Sequence, residues 1–307
     1  MGALNIQRGD VVLSAAYTCI PTVLPAVWRG ADLWFADCEK EVLGVSQAGF
    51  DEALEHMGRL NKTPKVFIPV HVYGQVVDRA VMDMARDRGI PVVEDACEAH
   101  GATWWDGSKV GIKGLMACFS FRGDKLITAG GVGGMVVTDD EDLAKGMREL
   151  RDMLPRQRSL RYTPSIIGRA HQLGELNAAF GRCQIPVLAT IIRMRQQVLE
   201  WYSQLLPRSV EGKWHGRRSA AWRFMVMLPP GVDRVRVMDE MDAMGIETLP
   251  GFTALNLLSM FSEGEGHCPV AEDIGARGLC LPLHGGMTPS DVNSVCEALK
   301  FCVEGKV

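Results

Sequence analysis

The first half of the chain alternates short apolar runs with segments whose apolar residues recur at helical spacing. The short runs are rich in β-branched and aromatic residues and are apolar throughout, as strands covered on both faces must be. They lie at residues 11–14, 33–36, 66–70, 91–94, 117–121 and 134–138. Helical spacing follows in residues 50–60, 78–89 and 143–150. This alternation predicts a three-layer α/β fold, in which helices cover both faces of a mostly parallel sheet.

The second half of the chain has a different pattern. It begins with a long helical stretch, residues 171–205, which Pro186 interrupts. A strand, a helix and a second strand are predicted at residues 222–228, 235–244 and 246–249. A capping box with Thr288 before a proline marks the start of the last helix. These elements predict a smaller α/β unit joined to the first half through the long helix.

The length of 307 residues is enough for one large and one small domain, or for a single large α/β domain. We place the large, ligand-binding domain at residues 1–185 and the small C-terminal domain at residues 186–307. The sequence contains no internal repeat and no low-complexity segment.

Composition excludes several classes of protein. The formal net charge is −4 and no run of Lys or Arg is present, which argues against a protein built to hold nucleic acid or an anionic membrane. No apolar run is long enough to cross a bilayer, and the N-terminus has no signal core. The nine cysteines include no Cys-x-x-Cys pair and no cluster with His that would bind a metal. We therefore expect no metal and a reducing, cytoplasmic location.

Three polar residues follow the predicted buried strands and indicate a ligand site. Asp95 and Ser120 stand at strand ends, and parallel sheets bind ligands beyond the carboxyl ends of their strands. Lys125 lies on the next turn, where partial burial would make its amine nucleophilic towards aldehydes. A lysine and a carboxylate together are what pyridoxal phosphate requires. Taken singly, Lys125 could be a solvated turn residue, Asp95 a cap and Ser120 a partner of the backbone.

The order of several motifs resembles the DegT/DnrJ/EryC1/StrS family of sugar aminotransferases, which are pyridoxal phosphate enzymes of fold type I. The matching segments run nearly from end to end and keep the family's spacing. They are residues 9–19, 69–75, 94–96, 100–102, 119–121 with Lys125, 133–134, 168–179 and 281–284.

The resemblance implies a role for each matching residue. Lys125 corresponds to the lysine that forms the Schiff base and moves the proton between substrate and cofactor; a subgroup of sugar dehydratases has histidine there. Asp95 corresponds to the carboxylate that keeps the ring nitrogen protonated, and Ser120 to a hydroxyl that binds the phosphate. The resemblance also implies a homodimer with the active site at the subunit interface.

Several positions depart from the family pattern. Glu98 stands where a glutamine usually donates to the phenolic oxygen of the cofactor, and a carboxyl can donate only when it is protonated. Cys19 stands where many members stack an aromatic ring, although members with Tyr-Thr-Cys also exist. Ala170 and Gln172 replace an asparagine that reaches the neighbouring subunit's phosphate and an arginine, and Leu115 replaces a common aspartate.

A further difference concerns the region before Gly9. Family members begin with a strand, a Ser-Gly-Thr turn and a helix whose N-terminus holds the phosphate, and none of these precedes Gly9 here. Two explanations are open at this point: a chain clipped upstream, or a short protein that has lost activity. Either would leave the phosphate site of the chain as given incomplete.

The function expected from the resemblance is transfer of an amino group to a nucleotide-linked keto-sugar, with glutamate as donor, in polysaccharide or related glycan synthesis. The alternative is a truncated, catalytically inactive family remnant that acts as a binding or dimerisation partner. Glu98, Ala170 and the missing turn favour the alternative, whereas the conjunction of Lys125 with Asp95 favours the enzyme.

Overall fold

The computed structural model of the protein describes residues 1–152, 168–213, 216–261 and 266–305. Its strands fall into a larger, mostly parallel arrangement in the first half of the chain and a smaller antiparallel sheet in the second. In chain order they are β1 (Val11–Ala15), β2 (Asp32–Ala36), β3 (Pro64–Ile68), β4 (Val93–Asp95), β5 (Met116–Ser120), β6 (Gly134–Val137), β7 (Glu211–Lys213), β8 (Phe224–Met227), β9 (Leu249–Pro250) and β10 (Gly278–Leu281).

In the first half an α-helix follows each of β1, β2, β3 and β6, and in the second half the helices surround the small sheet. They are α1 (Leu24–Val27), α2 (Gln47–Arg59), α3 (Arg79–Asp87), α4 (Glu141–Asp152), α5 (Glu175–Gln184), α6 (Leu188–Leu205), α7 (Arg234–Ala243), α8 (Pro269–Arg277) and α9 (Pro289–Glu304). Ser46 and Asp78 cap α2 and α3, and the capping box predicted at Thr288 begins α9.

The larger sheet has the order β2-β1-β3-β4-β5-β6. Strands β1, β2 and β3 pair in parallel, as do β4 and β5, and two parallel bridges, Phe67 with Val92 and Val70 with Asp95, join β3 to β4. Only β6 runs antiparallel to its neighbour in this part of the structure. Side chains of α2, α3 and α8 share one core with these strands. The predicted fold class, α/β with a mostly parallel sheet, is confirmed.

The small sheet has the order β7-β8-β10-β9 and is antiparallel throughout. A second apolar core beneath it contains Leu199 of α6, Val237 of α7 and Leu299 of α9. Helix α8 was not predicted from the sequence, and β10 was missed because a four-residue apolar run shows no period that separates strand from helix. The division of the chain after residue 185 stays a prediction.

Two local predictions in the second half have different outcomes. Pro186 does interrupt the long helical stretch, since a 3-10 turn at Ile185–Val187 separates α5 from α6. The strand predicted at residues 246–249 is shorter than expected and begins only at Leu249. The reason is the end of α7, where the N–H of Ile246 donates to the Met241 carbonyl at 2.9 Å. None of the described helices has both the length and the apolar character that a bilayer crossing requires.

Candidate active site

The carboxyl ends of the parallel strands form one crevice, as the sequence predicted. Strand β4 ends at Asp95 and β5 at Ser120. Cys19 lies in the segment that follows β1, and Tyr73 lies in the segment that follows β3. Because neighbouring parallel strands end at the same edge of a sheet, four separate parts of the chain meet there.

Asp95 is buried and its carboxylate is held by two donors. The Thr22 hydroxyl donates to Oδ2 at 2.7 Å, and the Cys97 N–H donates to Oδ1 at 3.1 Å. Thr22 also lies 3.0 Å from the Thr18 hydroxyl. These contacts fix the orientation of the carboxylate. Thr22 was not predicted from the sequence, and its position within the segment after β1 was the only available signal.

The neighbouring acid, Glu94, is engaged elsewhere. Its wholly buried carboxylate accepts the N–H groups of Gly111, Lys113 and Gly114 at 2.6–2.9 Å and lies 3.2 Å from His71 Nε2. Burial raises the pKa of Glu94, but the His71 contact and the backbone donors outweigh it, so that the pKa lies below its ordinary value. Glu94 therefore ties the loop after residue 110 to the sheet.

Lys125 and Glu98 form a buried pair within the crevice. Lys125 Nζ lies 3.4 Å from Glu98 Oε1, and the two side chains are 8% and 5% exposed. The second oxygen of Glu98 accepts the Tyr73 N–H at 2.8 Å. Burial raises the pKa of Glu98 to about 7, although Lys125 and the Tyr73 N–H act to lower it. Near neutral pH, a large fraction of Glu98 is therefore protonated and can donate a hydrogen bond.

Tyr73 connects this pair to the second half of the chain. Its φ of 55° is in the left-handed region, which is uncommon for a residue with a bulky side chain. In this conformation the Tyr73 backbone N–H donates to Glu98, and the Tyr73 carbonyl accepts the backbone N–H of Trp222 at 3.2 Å. The next carbonyl, of Gly74, accepts the Ala220 N–H at 2.9 Å. The segment that leads into β8 is thus attached directly to the crevice.

Trp222 is a site residue that the sequence did not reveal. Its ring centroid lies 3.7 Å from Lys125 Nζ, and its indole N–H donates to the Asp124 carbonyl at 2.6 Å. An aromatic face attracts an ammonium group. The amine of Lys125 therefore contacts both an aromatic ring and the Glu98 carboxylate. The sequence placed Trp222 only at the start of a predicted strand.

The remaining predicted residues line the same region. The Ser120 hydroxyl accepts the Arg122 N–H at 3.3 Å. Cys19 is half-buried; burial and the charge of Glu98 raise the pKa of its thiol, and Lys125 opposes this shift. The Cys19 thiol is thus close enough to Lys125 and Glu98 for the charge of each to affect its pKa.

Two positions that depart from the family pattern lie on the surface of the protomer. Ala170 and Gln172 are exposed, and the Gln172 amide donates to Asp152 at 3.1 Å. Neither residue contributes a described contact to the crevice of its own chain.

The donor set fits an aldehyde cofactor with a basic ring nitrogen. A shielded primary amine is available to an aldehyde, and a buried carboxylate at a strand end is oriented by two hydrogen bonds. A carboxyl group that can be protonated near neutral pH lies beside the amine. The amine and the buried carboxylate are the groups by which a protein holds the aldehyde and the ring nitrogen of pyridoxal phosphate.

Comparison with known proteins identifies the family. The model of the DegT/DnrJ/EryC1/StrS aminotransferase family matches residues 1–300. The GDP-perosamine synthase of Caulobacter vibrioides is 34% identical over 97% of this chain and 80% of that protein. The UDP-N-acetyl-3-dehydro-alpha-D-glucosamine 3-aminotransferase of Acidithiobacillus ferrooxidans is 30% identical over 99% of this chain and 80% of its own length. The structure of S. venezuelae DesV is 27% identical, with a TM-score of 0.86, and the match covers 100% of this chain and 81% of that one. The chain therefore belongs to the DegT/DnrJ/EryC1/StrS family of pyridoxal-phosphate-dependent aminotransferases.

Proposed function

We propose that the protein transfers an amino group from glutamate to a nucleotide-linked keto-sugar in polysaccharide or related glycan synthesis. Two relatives, a GDP-perosamine synthase and an aminotransferase of a UDP-linked dehydro-sugar, support this substrate class. The observation that carries the proposal is the position of Lys125. Its amine is buried against Glu98 and Trp222, in the crevice where the strand bearing Asp95 ends.

Each crevice residue has a proposed role. Pyridoxal phosphate, when bound, supplies the electron-withdrawing ring that weakens the bond to the α-proton of the donor. Lys125 is the residue whose amine would hold the aldehyde of the cofactor, and the same amine would accept and return that proton. Asp95 holds a proton on the ring nitrogen, and Glu98 donates to the phenolic oxygen. Ser120 binds the phosphate, and Cys19 packs beside the ring.

We also propose a homodimer located in the cytoplasm. Apolar side chains are exposed both next to β6 and on α5: Val132 is 81% exposed and Leu176 of α5 is 87% exposed. Met135 of β6 and Phe180 of α5 are also exposed. Such apolar surface is typical of an interface with a second copy. The nine cysteines are free thiols, which favours a reducing compartment.

The alternative, a non-catalytic binding partner, was favoured by glutamate at position 98. The structure weakens that argument, because burial raises the pKa of Glu98 to about 7 and leaves it able to donate. The replacement of asparagine by Ala170 still favours the alternative, and only an activity measurement separates the two.

The experiment is reductive trapping combined with turnover. The protein is incubated with pyridoxal phosphate and reduced with borohydride, and the adduct is located by peptide mass mapping. We expect a pyridoxyl group on Lys125, and none in Lys125→Ala. Lys113→Ala is the matched control, because this lysine pairs with Asp106 at 2.7 Å and is partly exposed. Amino transfer from L-glutamate to a nucleotide-linked keto-sugar should be lost in Lys125→Ala and retained in Lys113→Ala. An adduct on Lys113, or trapping on Lys125 without transfer, would contradict the proposal.

A further inference from the structure

Two guanidinium groups share a single carboxylate at the crevice. Arg122 binds Asp124 with Nε and a terminal nitrogen, each at 2.7 Å, so that both carboxylate oxygens have a donor. Arg223 lies 3.6 Å from the same carboxylate, beyond ordinary hydrogen-bond distance. At this distance Arg223 makes no hydrogen bond to Asp124, although its side chain contacts the Cys280 thiol. A guanidinium group has five N–H donors, so some of those of Arg223 remain available to another anion.

Trp222 fixes the position of Arg223 relative to the reacting amine. The guanidinium carbon of Arg223 lies 4.3 Å from the Trp222 ring centroid, and Lys125 Nζ lies 3.7 Å from the same centroid. The ring is itself held by its hydrogen bond to the Asp124 carbonyl. The Arg223 side chain is 22% exposed, so the group is shielded but not closed to solvent. A planar cation with free donors is therefore held beside the catalytic lysine.

We propose that Arg223 binds the α-carboxylate of the amino donor, an assignment that rests on the proposed function. In an α-amino acid the carboxylate is bonded to the carbon that carries the exchanging amine, so it must lie close to Lys125. The diphosphate of a nucleotide-sugar is separated from the keto carbon by the sugar ring and does not have this constraint. The planar fork of arginine also matches a carboxylate in two-point contact.

The test compares Arg223→Gln and Arg223→Lys with Arg59→Gln. Arg59 is an exposed residue of α2 that pairs only with Glu55 among the described contacts, so it controls for the loss of one positive charge. One charge-assisted hydrogen bond corresponds to a change of about 10- to 150-fold in affinity. We expect Arg223→Gln to raise the half-saturating L-glutamate concentration by this factor and to leave that of the keto-sugar unchanged. Arg223→Lys should show an intermediate effect, and Arg59→Gln should match the unmodified protein.

Calorimetric binding of 2-oxoglutarate, pyruvate and GDP or UDP to the protein as purified tests the site without turnover. Arg223→Gln should weaken the binding of both oxo acids and leave the binding of the nucleoside diphosphate unchanged. The assignment to the α-carboxylate would be overturned if Arg223→Gln weakened the binding of the nucleoside diphosphate alone, or that of 2-oxoglutarate but not that of pyruvate. Equal binding of the oxo acids by all variants would also overturn it. If oxo-acid binding depends on Arg223 but no amino group is transferred, the proposed function fails and the binding site stands. If amino transfer proceeds and Arg223→Gln binds and reacts normally, only this inference fails.

Discussion

The amine of Lys125 lies 3.4 Å from the carboxyl group of Glu98, and both groups are almost wholly shielded from water. The other oxygen of Glu98 accepts the Tyr73 N–H at 2.8 Å, so the two oxygens of this carboxyl group have different partners. This relationship gives a physical meaning to the glutamate that replaces the family's usual glutamine. With a pKa of about 7, Glu98 changes between proton acceptor and hydrogen-bond donor within the neutral pH range.

The first prediction concerns the pH dependence of stability. Because the pKa of Glu98 is raised above the value of about 4.3 for an unfolded glutamate, its stabilising contribution is complete below that pH and is lost as pH rises through 7. Glu98→Gln cannot ionise and avoids this loss. Its free energy of unfolding, relative to the unmodified protein, should therefore increase by up to about 3 kcal/mol between pH 4.5 and 8.

Urea denaturation at several pH values measures this difference. Glu297→Gln, an exposed change on α9, should give a difference that does not vary with pH. A pH-independent difference for Glu98→Gln would mean that Glu98 is ionised throughout the range in the folded protein.

The second prediction concerns Asp95. Asp95→Asn can still accept the Thr22 hydroxyl bond but cannot hold a proton on the ring nitrogen, so single-turnover transfer from L-glutamate should slow by about 10²- to 10⁴-fold. Thr22→Val removes one hydrogen bond and keeps the charge, so its effect should be about tenfold or less. Circular dichroism should show that both variants are folded. A rate for Asp95→Asn within tenfold of the unmodified protein would show that another acid serves the ring.

The third prediction separates Glu94 from the chemistry. Glu94→Gln places an amide N–H₂ against backbone donors and should lower the free energy of unfolding by about 2–4 kcal/mol at neutral pH. Since the pKa of Glu94 is lowered, its stabilising contribution is present above the unfolded pKa and disappears as pH falls through the folded one. The difference in free energy of unfolding between Glu94→Gln and the unmodified protein should therefore become smaller at acid pH. Glu55→Gln, an exposed change on α2, is the control. Borohydride trapping on Lys125 should persist, and its selective loss in folded Glu94→Gln would disprove a structural role.

The fourth prediction concerns self-association. Leu176 is 87% exposed on α5, so Leu176→Glu would place a charge in the proposed dimer interface. The monomer fraction in sedimentation velocity should rise at least tenfold, with the thermal stability of the protomer unchanged. Val235→Glu changes a 62% exposed residue of α7 and should leave association as it is. The opposite result, dissociation by Val235→Glu alone, would locate the interface on the small sheet's side.

The sequence by itself determined the strands of the larger sheet and the edge of that sheet where the candidate site lies. A strand with apolar side chains on both faces is stable only when other elements cover both faces of its sheet. The carboxyl ends of neighbouring parallel strands lie at the same edge of that sheet. The positions of Asp95 and Ser120 at strand ends were therefore predictable. The resemblance added the roles of the matching residues.

Only the tertiary structure decided which side chains meet. Glu98 and Lys125 are 27 residues apart, and Trp222 lies 98 residues from the carbonyl to which it donates. Propensity and periodicity describe neighbours along one element, so they carry no information about such contacts. The raised pKa of Glu98 likewise depends on how many groups bury it and which cation stands beside it. The sequence thus predicted a lysine and a carboxylate at the edge of the sheet, and the attachment of the segment before β8 decided which groups surround that lysine.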